Sequence, residues 1–323
     1  MKAVMFIPGP AGATVEVREV PAPVPAAGEV LVRVRAAGLN RGELAVRNGL
    51  KSGAPQGTGI EFAGEVAALG AGATRFRPGD RVMGHWRGGQ AEYVTAAEGL
   101  LVPVPKRLSW VEAGAWLNVF VTAHDAIVTN AQLQAGESIL INAASSGIGV
   151  AALQIARLLG AAPVIAASRS RGKLDRLVQY GMQTGVFAGP DAAAAVMQAT
   201  GKKGVDVLID NIGGSVLKEN LELMALRGRM VSIGRLDANV GPLDLDLLAF
   251  KRVRLIGVTF RTRTTEERAA CVQRCAGDLL DALADGRLNP VVDRTFAMAD
   301  VKAAQAYMES NEHIGKIVLE MPA

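Results

Sequence analysis

The chain has 323 residues, half of them hydrophobic and a fifth charged, with 37 glycines and 14 prolines spread along it. Single cores stop growing near about 250–300 residues, so two lobes of a turn-rich globular protein are expected, and a disordered or fibrous chain is excluded. The net charge of +4 sets 35 basic against 31 acidic residues with no long run of one sign, which argues against a dedicated nucleic-acid binder.

The first apolar stretch, Met1 to Ile7, ends at Pro8 and Gly9. It is too short for the apolar region of a signal peptide, and no run approaches the ~18 apolar residues of a membrane span, so a cytoplasmic protein is expected. Thr14-Val15-Glu16-Val17-Arg18 and Val30-Leu31-Val32-Arg33-Val34 alternate in period two between Pro and Gly clusters, giving a β-rich first lobe. Ser109-Trp110-Val111-Glu112 has capping-box spacing and opens a helical stretch towards Gln132, with the domain boundary placed near residue 120.

Beyond that stretch, short apolar strands alternate with helices. The strands are Ser138-Ile139-Leu140-Ile141-Asn142, Val164-Ile165-Ala166-Ala167, Val205-Asp206-Val207-Leu208-Ile209, Met230-Val231-Ser232-Ile233 and Val253-Arg254-Leu255-Ile256-Gly257. This rhythm predicts a doubly wound parallel sheet covered on both faces. The helix from Gly147 places Ala152, Ile155, Ala156 and Leu159 on one apolar stripe. After Thr259 a charged helix runs to about Gly286, and Gly315-Lys316-Ile317-Val318-Leu319 forms a last strand. This tail is expected to return to the first lobe and leave a cleft between the lobes.

The two cysteines, Cys271 and Cys275, are four apart on that helix and share a face. No His or Cys lies close by in sequence, so a structural role fits them better than a metal site, and the lack of a disulfide framework fits a reducing compartment.

The strand ending at Asn142, the turn Ala144-Ser145-Ser146-Gly147-Ile148-Gly149 and the following helix have the context of a dinucleotide-binding fingerprint. Its spacing is Ala144-x-Ser146-x-x-Gly149, with Ala and Ser where the standard pattern has Gly. Small residues and the positive helix end would meet a pyrophosphate there. NAD-binding units carry an acidic residue at the end of the second strand. Here Ser168, Arg169, Ser170, Arg171 and Lys173 stand at that end, a set suited to the 2′-phosphate of NADPH.

Several further segments, in this order and spacing, give a resemblance over essentially the whole chain. They are Ala36-Ala37-Gly38-Leu39-Asn40-Arg41-Gly42-Glu43-Leu44, Gly59-Ile60-Glu61-Phe62-Ala63-Gly64-Glu65-Val66, Gly88-Gly89-Gln90-Ala91-Glu92-Tyr93-Val94, Ile209-Asp210-Asn211-Ile212-Gly213-Gly214 and Ile314-Gly315-Lys316-Ile317-Val318-Leu319. With them the chain resembles the zinc-independent, zeta-crystallin-like quinone oxidoreductases of the medium-chain dehydrogenase/reductase superfamily. The resemblance implies an α/β fold, with a β-rich, GroES-like catalytic domain over residues 1–120 and 260–323 and a Rossmann-type NADPH-binding domain over 121–259. It also implies a homodimer, for which the apolar strand Leu255-Ile256-Gly257-Val258 at the sheet edge is the expected contact.

By the same resemblance Asn40 faces the nicotinamide ribose and Thr122, with Ala123, lies against the nicotinamide. Ser145, Ser146, Gly147 and Ile148 hold the pyrophosphate, and Ser168, Arg169 and Lys173 hold the 2′-phosphate. Ile212, Gly234 and Phe260 line the nicotinamide side. On the residues alone, Asn40 also reads as the cap of a helix beginning near Arg41. The metal-dependent relatives carry a Cys near Asn40, a His before the glutamate matched by Glu61 and a four-Cys lobe, all missing here, so no metal is expected. His85, His124 and His313 are far apart and read as neutral surface or capping residues.

Two departures from the family pattern stand out. Lys51 occupies the place of a Tyr that reaches the substrate, and Phe187 or Ala188 the place of a Tyr on the adenosine side. The implied activity is hydride transfer from NADPH to a quinone or similar conjugated carbonyl, with Asn40 and Lys51 as candidate catalytic residues and a proton from water or Lys51. The alternatives are an enoyl-thioester or enone reductase and, in another class, a non-catalytic NADPH-binding structural or RNA-binding protein.

Overall fold

The computed structural model describes residues 1–322, and the chain divides into two units, Met1–Val121 with Arg263–Ala323, and Thr122–Thr262. The first unit begins with β1 (Lys2–Ile7), β2 (Thr14–Glu19), β3 (Glu29–Gly38), α1 (Arg41–Gly49), β4 (Gln56–Gly57), β5 (Phe62–Leu69), β6 (Arg81–Gly84), β7 (Tyr93–Ala97) and β8 (Leu101–Pro103). In β3 the period-two alternation buries Val30, Val32 and Val34 on one face. The run Ala36-Ala37-Gly38 is buried throughout because α2 (Trp110–Gly114) packs on it, and only small residues leave room for that approach. Ser109 caps α2 with the expected capping box to Glu112. The helical stretch beyond it is broken, with α3 over Leu117–His124 and then a single wide turn over Asp125–Asn130.

The second unit is one six-stranded sheet, wholly parallel: β9 (Ile139–Ile141), α4 (Gly147–Leu158), β10 (Val164–Ser168), α5 (Arg171–Leu177), β11 (Thr184–Phe187), α6 (Ala192–Ala199), β12 (Val205–Asp210), α7 (Leu217–Leu223), β13 (Met224–Ser232), α8 (Leu245–Lys251) and β14 (Arg254–Gly257). Its order is β11-β10-β9-β12-β13-β14. The chain therefore reverses its direction of travel between β9 and β12, the switch point at which open parallel sheets bind ligands. The expected single stripe on α4 is corrected: every residue from Gly149 to Ala156 is buried, because the helix packs on the sheet and on the wide turn at Asp125–Asn130 as well.

The chain then re-enters the first unit through α9 (Thr265–Ala284), β15 (Val292–Ala297), α10 (Val301–Ser310) and β16 (Lys316–Glu320), with β16 antiparallel to β3. The surface reading of the histidines is also corrected: His85 and His124 are 2% and 1% exposed. A neutral imidazole is a tolerable core group when it has polar partners.

Candidate active site

In the second unit, five of the candidate groups stand at the carboxyl ends of adjacent parallel strands. Residues 145–148 follow β9, Ser168 closes β10, and Arg169 and Lys173 follow it. Ile212 follows β12, Gly234 follows β13 and Phe260 follows β14. Ser146 caps α4, its hydroxyl accepting from the Gly149 N–H at 3.1 Å. Gly149 cannot carry a side chain: a Cβ there would lie 2.6 Å from the Ala143 carbonyl oxygen and from Ala144. The helix start is thus drawn hard against the turn, as the third fingerprint position requires.

At the end of β10, Ser168 is buried and its hydroxyl accepts from the Ser170 N–H at 3.2 Å, while Ser170 caps α5. Arg169 is exposed, and Arg171 stacks over Phe187, 4.6 Å from its ring centroid. No carboxylate lies between residues 168 and 173. At the end of β12, Asp210, which the sequence argument did not single out, is 2% exposed and accepts from the N–H groups of Ile212 at 2.9 Å and Gly213 at 3.2 Å. Burial holds its carboxyl above the usual range despite these donors. The pair of bonds fixes the shape of the loop that presents Ile212. Thr122 lies on α3, 7% exposed.

The first unit holds a buried polar network centred on Asn40. The Asn40 side chain does not cap α1. Its Nδ2 donates to Glu61 Oε1 at 3.0 Å and to the Gly38 carbonyl at 3.2 Å, and its Oδ1 accepts from Lys316 Nζ and from Asn118 Nδ2, each at 2.7 Å. All four bonds of the amide are committed. Lys316 also donates to the Leu39 carbonyl at 2.6 Å and pairs with Glu61; the two side chains are 4% and 1% exposed. The second Glu61 oxygen accepts from the Asn118 N–H at 3.0 Å. Gly38 makes room for this carboxylate, since a Cβ there would fall 2.3 Å from Glu61 Oε1.

The network runs on in two directions. His85 Nε2 donates to Asn118 Oδ1 at 2.9 Å. Burial, the largest cause, and the charge of Arg268 pull the imidazole down to about 4, so it is neutral. On the other side Glu43, in the first turn of α1, accepts from Gln90 Nε2 at 2.9 Å, and Gln90 accepts from the Thr58 hydroxyl. Burial pushes the Glu43 carboxyl up to about 7, although Lys316 lowers it. Its Oε1 has no hydrogen-bond partner. Lys51 stands apart from this network, exposed on the loop that follows α1.

Among the described residues no three His, Cys, Asp or Glu side chains gather as a metal site. The Lys316 ammonium neutralises Glu61 inside the cluster, so the donor set does not suit a divalent cation. No helix of the described residues is long and apolar enough to cross a membrane.

Residues 26–106 match the family described as alcohol dehydrogenase GroES-like domain, and residues 147–276 match zinc-binding dehydrogenase. The quinone oxidoreductase of Rattus norvegicus is 32% identical over 312 residues, covering 93% of this chain and 92% of that one. The spectinabilin polyketide synthase system protein NorB of Streptomyces orinoci is 33% identical over 298 residues, which span 92% of this chain but only 13% of that much longer protein. A mycobacterial protein solved in complex with NADPH superposes with a TM-score of 0.89 at 26% identity, covering 99% of this chain and all of that one. With a fingerprint turn at the switch point of a 3-2-1-4-5-6 sheet and a full-length relative at this identity, the chain belongs to the quinone oxidoreductase family of the medium-chain dehydrogenase/reductase superfamily.

Proposed function

We propose that the protein is an NADPH-dependent, metal-free oxidoreductase that reduces a quinone or similar conjugated carbonyl. The observation that carries this reading is the carboxyl edge of the parallel sheet, where a fingerprint turn and a carboxylate-free basic strand end stand side by side. The tight Gly149 turn fits the cofactor's pyrophosphate, with Ser145, Gly147 and Ile148 offering backbone N–H groups and Ser146, whose N–H is bonded to the Ala143 carbonyl, its hydroxyl. Ser168, Arg169 and Lys173 would take the 2′-phosphate, and Thr122, Ile212, Gly234 and Phe260 the nicotinamide. The cofactor, when bound, supplies the hydride.

The protein's own part is orientation and electrostatics. Asn40 is proposed to hold the nicotinamide ribose. A ribose hydroxyl reaching it as acceptor has to displace the Gly38 carbonyl, the longest of its four bonds. The pair of Lys316 and Glu61 fixes the amide in one orientation, which is the preorganisation that transfer geometry needs. Lys51 is proposed to attract the negative charge that grows on the reduced acceptor. A homodimer through β14 is part of the reading. That strand is the sheet edge, and Leu255 on it and Phe250 on the preceding helix are 43% and 77% exposed. So is a reducing, cytoplasmic setting, in which Cys271 and Cys275 remain free thiols.

The test is NADPH oxidation by quinone and enone acceptors in the parent and in Arg169→Ala. Arg169 is exposed, so the change leaves the fold alone. Loss of one charge-assisted phosphate contact is expected to raise KM for NADPH about ten-fold and leave KM for NADH in place. Equal losses with both cofactors would refute the assignment.

A further inference from the structure

We infer that Asp210 is a positioning residue for the nicotinamide, holding in one shape the two loops that receive the ring while touching neither ring nor acceptor. The inference rests on the reading of this sheet edge as a nicotinamide cofactor site and deepens it.

Asp210 ends β12 and is 2% exposed. Its Oδ1 accepts from the Ile212 N–H at 2.9 Å and its Oδ2 from the Gly213 N–H at 3.2 Å. Its main-chain carbonyl accepts two more bonds from the end of the neighbouring strand, from the Ile233 N–H at 2.9 Å and the Gly234 N–H at 3.2 Å. One residue therefore anchors both Ile212 and Gly234, which lie on different loops and which the cofactor reading assigns to the nicotinamide.

The two loops are also locked to each other. The Ile212 carbonyl accepts from the Asp237 N–H at 3.1 Å, and the Gly214 N–H donates to the Ala238 carbonyl at 2.8 Å. Gly213 has a φ of +106°, and a Cβ on it would lie 2.5 Å from the Ala238 oxygen. A Cβ on Gly234 would lie 2.4 Å from the Asn211 oxygen. With its N–H bonded to Asp210 and its carbonyl to Asp237, Ile212 has only its half-buried side chain left to meet a ring.

A further tie runs to the fingerprint turn. Asn211 Nδ2 donates to the carbonyl of Asn142, the residue that leads into the turn, at 3.0 Å. Asn142 Nδ2 donates in its turn to Asn220 Oδ1 on α7 at 2.9 Å, and all three asparagines are buried. The spacing between the places proposed for pyrophosphate and nicotinamide is thus set by buried side chains behind them.

A carboxyl is a costly group to bury. Burial raises that of Asp210, and the groups that oppose this are neutral dipoles, the N–H groups of Ile212 and Gly213 and the amides of Asn142 and Asn220. What the carboxyl supplies is geometry, since two oxygens on one short side chain serve adjacent N–H groups of a tight turn. Hydride transfer is sensitive to such placement, a 1 Å error costing about 100-fold in rate.

The test follows bound NADPH by the fluorescence anisotropy of its reduced nicotinamide, in the parent, Asp210→Ala and Asp210→Asn. Adenosine 2′,5′-bisphosphate, which lacks the nicotinamide, serves as the control ligand. Asp210→Ala is expected to bind both ligands within about three-fold of the parent, to lower the anisotropy of bound NADPH, and to lower kcat with a quinone ten-fold or more, a loss of geometry and not of affinity. Asp210→Asn keeps an acceptor for Ile212 but sets an amide N–H against that of Gly213, so it should fall between the two.

Parent anisotropy and kcat in Asp210→Ala overturn the inference, as does an equal loss of affinity for both ligands in a folded variant. If Asp210→Ala does not fold, Asp210→Asn decides, and parent values in it overturn the inference. If the parent does not bind NADPH, the NADPH reading is what has failed, and the same comparison with NADH and ADP then decides the role of Asp210. A parent that binds neither dinucleotide overturns both.

Discussion

Replacing Lys316 with Met is expected to lower the stability of the first unit by about 3–5 kcal/mol, because it strands a buried carboxylate. Glu61 is 1% exposed, and Lys316 is its one cationic partner among the described residues. Without the ammonium, Glu61 keeps only the amide donors of Asn40 and Asn118. The Leu39 carbonyl and one lone pair of Asn40 Oδ1 lose their donor at the same time. Adding Glu61→Leu to Lys316→Met removes both charges and should recover part of the loss, since a buried pair replaced by apolar groups is often close to neutral. All three tryptophans, Trp86, Trp110 and Trp116, belong to this unit. Their fluorescence in a urea titration therefore follows it apart from the second unit, whose separate unfolding would blur a whole-chain signal. A Lys316→Met protein within about 0.5 kcal/mol of the parent would show that the pair is not the keystone of the cluster.

The same pair explains what the sequence could and could not reveal. The parallel sheet is legible because five of its six strands are short apolar runs, and because one turn, residues 144–149, has a spacing that a tight strand-to-helix connection requires. β11 escaped notice, since Thr184-Gly185-Val186-Phe187 buries Val186 alone and lacks any apolar pattern. The carboxyl-edge residues could be named because they sit at fixed offsets from their strands.

The Asn40 network could not be assembled that way. Lys316 meets Asn40 across 276 residues of sequence, and Asn118 meets it across 78, and no local period encodes such contacts. Glu61 and Lys316 each lie in a segment that carries the family resemblance, yet only the pairing of β16 with β3 brings the ammonium to the carboxylate. The histidines were misread for a related reason. A lone His gives no sign of burial, and the partner that makes His85 tolerable in the core is 33 residues away.

Glu43 and His85, at opposite ends of this network, are expected to give the first unit opposing pH dependences that single substitutions expose. Burial raises Glu43 from its ordinary 4.5 to about 7. The folded chain therefore holds a proton that the unfolded chain releases between these values. Stability from this group is complete below pH 4.5 and is lost as pH rises to about 7, a change of about 3 kcal/mol for a shift of this size.

Burial lowers His85 from 6.5 to about 4. Here the unfolded chain holds the extra proton, so stability is complete above pH 6.5 and is lost as pH falls to about 4, again by about 3 kcal/mol. Over most of the shared range the two slopes cancel in the parent. Glu43→Gln keeps an acceptor for Gln90 and removes the titration. Its stability relative to the parent should therefore climb by about 3 kcal/mol between pH 4.5 and 7. His85→Gln keeps a donor for Asn118, and its stability relative to the parent should fall with rising pH between about 4 and 6.5. Taking each variant against the parent at the same pH cancels every other carboxylate. The measurement is again tryptophan fluorescence in urea, repeated at half-unit steps of pH. A Glu43→Gln difference that stays level from pH 4.5 to 7 would mean that Glu43 is ionised in the fold. The negative charge would then have to be balanced by Lys316, the cation whose field already lowers this carboxyl, and Glu61 would be left to share the same ammonium.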